Sequence, residues 1–548
     1  MKFRCLAAAG VAMVASAALV AATQCAAAVR LPNIFGDHMV LQRSMRDPVW
    51  GWAAPGEKIT VHFHGQTATT LANAHGQWSV RLEPMAADSV PHKLIVQGTN
   101  RVVVRDVLVG EVWLCGGQSN MEYPLHGWFR GGHMKRAVAG ARHPLIRLME
   151  VAHAFAGTPH RNCGGHWVRC SPATAKSFSA VAYFFGRDLH AKLRVPFGLI
   201  LSDFGGTRIE PWTPELGFKI SPLLNKDYLL LRREQAQLPR YHRQLRAYVK
   251  LAHRWVRQAR AAMGAKRRIP APPAAPVNPI AGNRNNPTPL FNDMINPLIP
   301  YGIRGAIWYQ GENNVGESAR QYYANLKALI TSWRALWREG NFPFFIVQIA
   351  PYDYGRFSGR HDLEPEIWAA QQKAAATVPG SGIVGTLDIA SPRQGHPVDK
   401  RDVGYRLSLL ALAKVYGRKH MVWSGPVYQS MAVRGRTVVL HFRHVGGGLA
   451  SRDGKPLTWF QIAGNNRHFV TGIAKIVGVT VHVHAAAVRH PAAVRFAYED
   501  IATPNLMNKA GLPAMPFATA RWARPGEMAG RLKRAPGGAA APPPPRHP

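Results

Sequence analysis

From Leu31 to about Asn100 apolar and polar residues alternate in short runs, MVLQRS, VWGWAAPGE, KITVHFHG, GQWSVRLEP and HKLIVQG, separated by Gly, Pro and Asn. A period of two between turn residues marks half-buried strands, and strands at this spacing predict a small β-sandwich over residues 29–103. Beyond Arg101 the pattern changes. Continuous apolar runs (VVVRDVLVGEVWLC, FGLILSDFGG, GIRGAIWYQGE, FPFFIVQIA, GIVGTLDIA) now alternate with stretches of helical period such as AVAYFFGRDLHAKL and NLKALITSWRALW, where Leu326, Leu329, Ile330, Trp333 and Trp337 recur on one face. Strands apolar throughout must be covered on both sides, so the alternation predicts an α/β unit with a parallel sheet over residues 104–417.

Inside that unit residues 222–288 stand apart. They run from an Arg-rich helical pattern, Asp227 to Met263, into RRIPAPPAAPVNPIAGNRNNPTP, and predict a helical excursion followed by a Pro/Asn-rich loop. After Gly417 the β pattern returns (TVVLHF, WFQIAG, TGIAKIVGVTVHVHAA, AVRFAYE), which predicts a second β domain over 418–523. Residues 524–548 are rich in Pro, Gly and Ala and predict a disordered tail.

The start of the chain, MKFRCLAAAGVAMVASAALVAATQCAAAVR, has basic residues, an uncharged apolar stretch and then small residues, the order of a secretory leader over residues 1–28. A retained anchor is the runner-up, although the stretch is Ala-rich and weakly apolar for a span. The expected location is secreted or periplasmic, with no stable membrane insertion. Loss of the leader would leave Cys115, Cys163 and Cys170; in an oxidising compartment Cys163 and Cys170 either close a short loop or all three remain thiols. No CxxC pair or HExxH helix suggests a metal, and no cofactor is expected. The net charge of +38 raises nucleic acid as a partner, but Arg and Lys are scattered rather than gathered with aromatics, so a nucleic-acid partner is not expected. An acidic glycan suits that charge better.

Candidate chemistry collects at strand ends. In open α/β sheets ligands bind where the carboxyl ends of the strands converge. The runs end in CGGQSN at Ser119, DFGGTRIEPW at Gly205 and Gly206, WYQGENN at Gln310 to Asn314, and DIASPRQGHP at His396. A serine, a histidine that takes its proton and a set of N–H donors are the parts for acyl transfer. Singly each has a blander reading: Ser119 in a tight turn, His396 on a surface, the glycines as close-packing points, Glu312 and Asn314 as loop braces, Trp212 and Trp308 as core, with Arg208 unassigned.

Taken together, GGQSNM, GGTRIEPW, PLFNDMINPLIPYGIRGAIWYQGENN and GHPVDKRDVGYRL, with MVLQR…VWGWAAPGE at the start and NLMNKAGLPAMPFAT near the end, resemble the sialate O-acetylesterase family of SGNH hydrolases. The resemblance implies a flavodoxin-like α/β three-layer sandwich with accessory β domains, and a serine esterase acting on acetylated carbohydrate. It implies Ser119 as nucleophile, His396 as general base, and the Ser119 N–H, the Gly206 N–H and the Gln310 side chain as oxyanion donors. Glu312 and Asn314 would support the site. The acidic residue that the family places shortly before the histidine is absent, since Pro392, Arg393, Gln394 and Gly395 stand there. Asp388 is the first candidate for it, ahead of Asp399 and Glu312; a base oriented by a carbonyl, a Ser-His dyad, is the other. Acetylated xylan or pectin is the alternative substrate, and a glycan-binding protein with degraded catalysis the alternative function.

Overall fold

A computed structural model describes residues 28–128 and 132–520. The expected leader, apart from its last residue, and the expected tail lie outside the described residues.

The strands that lead to the serine are β1 (Val40–Gln42), β2 (Pro48–Trp52), β3 (Lys58–Phe63), β4 (Gln66–Leu71), β5 (Gln77–Arg81), β6 (Asp88–Gln97) and β7 (Arg101–Gly117). After the short helix α1 (Ser119–Glu122) come β8 (His143–Glu150), β9 (Trp167–Cys170), helix α2 (Ala180–Leu193), β10 (Phe197–Asp203), β11 (Gly305–Tyr309), α3 (Ala319–Trp337), β12 (Phe344–Val347), α4 (Glu364–Thr377), β13 (Ser381–Val384) and α5 (Lys400–Lys414). The central sheet has the order β13-β12-β11-β7-β10-β8-β9. Neighbours from β13 to β8 run parallel, and β9 closes the edge antiparallel to β8.

The boundary expected between residues 103 and 104 falls inside β7, a strand of 17 residues. Its first part pairs antiparallel with β6 and parallel with β1; its second part, from Glu111, pairs with β10 on one side and β11 on the other. Strands β1, β3, β4 and β6 thus join the central strands in one mixed sheet, while β2 and β5 pair apart from it. The change of pattern near Arg101 has a physical origin: from Arg101 to Asp106 exposed and covered positions intermingle, whereas every residue from Val107 to Gly117 is buried.

Alternate residues of the central strands feed two cores. Trp113, Cys115, Ile307 and Tyr309 pack with Val181 and Phe185 of α2 and Val403 and Leu407 of α5. Val112, Leu114 and Trp308 turn the other way, to Ile330 and Trp333 of α3 and Ile367 of α4. Helices therefore cover both faces. Trp113, Trp308 and Trp333 are wholly buried, and burial of large side chains of this kind stabilises by about 2–3 kcal/mol each. Trp212 lies beside Trp308, also with no exposure, so both are core and neither faces a sugar.

The helical excursion is present as Asn225–Gln235 and Leu238–Gly264. The Pro-rich stretch that follows lacks regular structure, and the Trp255 indole N–H donates to the Pro270 carbonyl at 2.8 Å. C-terminal strands form antiparallel sheets, among them Val427–Arg434, Thr437–Arg443, Thr480–His484 and Ile473–Val477 in that order. Cys115, Cys163 and Cys170 are buried thiols, so Cys163 and Cys170 are not joined. Among the described residues no helix is long and apolar enough to cross a membrane.

Candidate active site

Strand β7 ends on Gly116 and Gly117 because β11 lies against them. A methyl group on Gly117 would sit 2.2 Å from the Tyr309 carbonyl oxygen, and the residue has φ of +147°. A side chain there meets both a steric and a conformational barrier. The close approach is thus to the neighbouring strand, which accepts the Gln118 N–H at Tyr309 O, 3.0 Å. The chain then turns into α1, whose first residue is Ser119.

Ser119 and His396 are brought together from positions 277 apart in sequence: Nε2 of His396 lies 2.8 Å from Ser119 Oγ. The loop after β10 closes in from the side, where a methyl on Gly205 would meet Ser119 Cβ at 3.4 Å and a Glu122 carboxylate oxygen at 2.5 Å. Gly206 has φ of +67°, and its carbonyl accepts from the Asn313 side-chain amide at 3.1 Å. Among the described residues the N–H groups of Ser119 and Gly206 have no acceptor. Two unfilled backbone donors beside a serine–histidine pair are what an oxyanion requires.

Gln310 does not join them. Its side chain is wholly buried, and its amide donates to the Thr207 carbonyl at 3.1 Å and to Asn314 Oδ1 at 2.8 Å, while its oxygen accepts from the Tyr322 hydroxyl at 2.8 Å. Both amide hydrogens are committed away from the serine, so Gln310 ties loops together and is not an oxyanion donor. Asn314 is likewise a brace, accepting the Ile209 N–H at 3.0 Å and donating to Glu210 at 3.1 Å. Arg208 is absorbed by Glu210 and Glu317.

The expected acid partner is also elsewhere. Arg406 of α5 grips Asp388 with two bonds, Nη1 to Oδ1 at 2.8 Å and Nη2 to Oδ2 at 2.6 Å. Asp399 caps α5 by accepting the Asp402 N–H at 3.0 Å. The run GIVGTLDIA is strand only as far as Val384, and the turn after it carries the Asp388 carboxylate to α5. Among the described residues no carboxylate pairs with His396. Asp388→Asn is expected to leave acetate release nearly unchanged and to lower the melting midpoint, since a buried guanidinium loses its partner at a cost of about 1–3 kcal/mol. A rate loss of about 10⁴, as when a triad carboxylate is neutralised, would return Asp388 to the base.

A different group occupies the floor of the site. Asn120, next to the serine and buried, donates to Glu312 Oε1 at 2.6 Å and to the Gly395 carbonyl at 3.0 Å, and accepts from Lys400 Nζ. Lys400 is without exposure and lies 4.9 Å from the Tyr123 ring centroid and 5.2 Å from that of Tyr309. Burial pulls its ammonium down to about 7, against the opposing charges of Glu312 and Asp399. Burial pushes the Glu312 carboxyl up. For His396 burial comes first and the Lys400 charge second, and together they bring the imidazole down to about 4. The imidazole is therefore neutral across the ordinary pH range and able to accept a proton. Trp128, 43% exposed, stands edge to face against the imidazole with centroids 4.9 Å apart.

Asn120 and Lys400 were both visible in the motifs GGQSNM and GHPVDKRD, but nothing in sequence couples residues 280 positions apart. Trp128 carried no sequence signal.

Comparison with known proteins agrees with the motif resemblance. The family described as "Carbohydrate esterase, sialic acid-specific acetylesterase" matches residues 282–399, a span that includes Gln310, Glu312 and His396. Sialate O-acetylesterase of Rattus norvegicus is 29% identical over 457 residues, 76% of this chain and 79% of that protein. That of Homo sapiens is 29% identical over 434 residues, 73% of each. The crystal structure of a carbohydrate acetylesterase from Xanthomonas citri superposes with a TM-score of 0.76 at 35% identity, covering 90% of this chain and 100% of that one. With a fold, a serine–histidine contact and similarity over most of the chain in agreement, the chain belongs to the sialate O-acetylesterase family of carbohydrate esterases.

Proposed function

We propose that the protein is a secreted carbohydrate O-acetylesterase that removes acetyl groups from sugar hydroxyls through an acetyl-Ser119 intermediate. The observation that carries this reading is the 2.8 Å contact between Ser119 Oγ and His396 Nε2, beside unfilled backbone N–H groups. Ser119 Oγ attacks the acetyl carbonyl as His396 Nε2 takes its proton. The N–H groups of Ser119 and Gly206 hold the oxyanion, with the exposed Asn313 amide as a third donor. Collapse of the tetrahedral species breaks the bond to the sugar oxygen, which leaves with the proton from His396. Water, deprotonated by the same imidazole, then attacks the acetyl-serine and acetate departs. The base works as a dyad: Asn120 holds the carbonyl one residue before it in place of an orienting carboxylate. The scaffold is read as the flavodoxin-like sandwich of SGNH hydrolases with accessory β domains.

Trp128 offers the exposed ring on which a sugar face would stack. The charge of +38 favours an acidic substrate, a sialylated or pectic glycan, over neutral xylan. The test uses acetylated sialosides, pectin and xylan with purified protein, quenched in acid and digested. A mass gain of one acetyl group on the Ser119 peptide, with release from acidic glycans that falls as salt rises, is expected. Equal rates on neutral and acidic glycans across a salt series would remove the acidic preference, and glycan binding with no acetate release would favour a binding protein. Secretion is checked by finding the chain, shortened by its first 28 residues, in the periplasm or medium.

A further inference from the structure

The N-terminal sheet carries a cluster that the esterase chemistry does not use. His64, Asp88 and His92 meet where the turn between β3 and β4 folds over the start of β6. Nε2 of His64 lies 3.0 Å, and Nε2 of His92 2.7 Å, from one atom, Oδ2 of Asp88. Potential ligand atoms of all three residues fall within 4.8 Å of one another. The other carboxylate oxygen is already engaged: Oδ1 accepts the Val90 N–H at 2.8 Å, which leaves Oδ2 turned toward the imidazoles. The two rings stand edge to face with centroids 4.5 Å apart, and Phe63 packs against His92 at 6.0 Å. His64 sits in the left-handed region, φ +49°, at the turn. The Val90 N–H, and after it His92, hold the Asp88 carboxyl down at about 2.

The geometry points to a divalent transition-metal site made by His64 Nε2, His92 Nε2 and Asp88 Oδ2. Zinc takes imidazole nitrogen and carboxylate oxygen at about 2.0–2.2 Å in a tetrahedron. Ligand atoms at those lengths stand about 3.3 Å apart, so the two N···O pairs need open by only about half an ångström. Two nitrogens and one oxygen suit zinc, copper or nickel and not calcium or magnesium. The side chains keep 33%, 27% and 28% exposure, which leaves one side open to water as a fourth ligand. To bind, each ring takes the neutral tautomer that keeps its one proton on Nδ1, so that the Nε2 lone pair goes to the ion. The ion would link the β3–β4 turn to β6, across 24 residues of chain, and stabilise the folded state by mass action. Ligands drawn from a turn and a bulged strand give no sequence motif, which is why the chain reads as metal-free.

The test is calorimetric titration of Zn²⁺ into the full chain, without a histidine tag, at pH 7.5. One equivalent should bind, and both His64→Gln and His92→Gln should weaken it at least tenfold; glutamine keeps a hydrogen bond to Asp88 but is a poor ligand. Zn²⁺ should raise the melting midpoint of the parent and not of either variant, with acetate release unaltered. Binding of equal strength in parent and variants would put the ion among the other histidines and overturn the site, as would no binding up to millimolar Zn²⁺. If a variant has lost its fold by circular dichroism, Co²⁺ decides on the parent: absorption bands of tetrahedral coordination, quenched by Zn²⁺ and absent in Asp88→Asn, support the site, and their persistence in Asp88→Asn rejects it.

Discussion

Ser119→Ala and His396→Ala should each slow acetate release by about 10⁴-fold or more, and the double variant should be no slower than the worse of the two. In the proposed mechanism the two side chains, 2.8 Å apart, pass one proton between them and act as a unit, so removing either removes the same step. What survives is the contribution of the backbone donors and of substrate binding. Losses that multiply in the double variant would mean separate roles. A His396→Ala enzyme retaining a tenth of the activity would place the base elsewhere. The pH profile follows from the same imidazole. Because burial and Lys400 hold it down to about 4, the neutral form persists as pH falls from 7 to 5, and kcat/KM should stay level there. Protonation below that fills the lone pair that receives the serine proton, so the acid limb should lie near 4. A limb near 6.5 would be that of a solvated histidine.

Asn120→Ala is the second large effect. The amide makes contact with Glu312, Gly395 and Lys400, and its loss strands a buried ammonium and a part-buried carboxyl at once. An unsatisfied buried polar group costs about 1–3 kcal/mol, and more when charged. The activity should suffer separately, because His396 follows Gly395 directly and a displacement of the base by about 1 Å costs on the order of 10²-fold. The expected pattern is kcat down about 10²-fold, KM little changed, and a lower melting midpoint. A lower midpoint with kcat intact would make Asn120 a structural residue with no hold on the base.

Strand and helix identities were legible because they rest on local periodicity. AVAYFFGRDLHAKL is helix α2 residue for residue, and FGLILSD is β10. Ser119 and His396 were legible because strand ends in α/β sheets converge, a rule that needs no distances. The rest depended on long-range geometry. Asp388 looked available from its place after an apolar run; that Arg406 waits for it depends on the turn after Val384 and the pitch of α5. Gln310 carries the right donor, but a motif does not reveal that Thr207 and Asn314 have already claimed its hydrogens.

Strand β7 has a consequence for how the molecule comes apart. The accessory strands β1 and β6 and the catalytic strands β10 and β11 hydrogen-bond to one continuous backbone. Excising residues before 104 would strip β7 of partners along its first half and lay open the apolar faces around Val104 and Val107. The N-terminal portion is accordingly not a detachable module, and loosening it should propagate along one peptide ribbon to the turn that presents Ser119. A single cooperative unfolding transition, shared by Trp78 among the accessory strands and Trp308 in the central sheet, is the macroscopic sign of that shared spine.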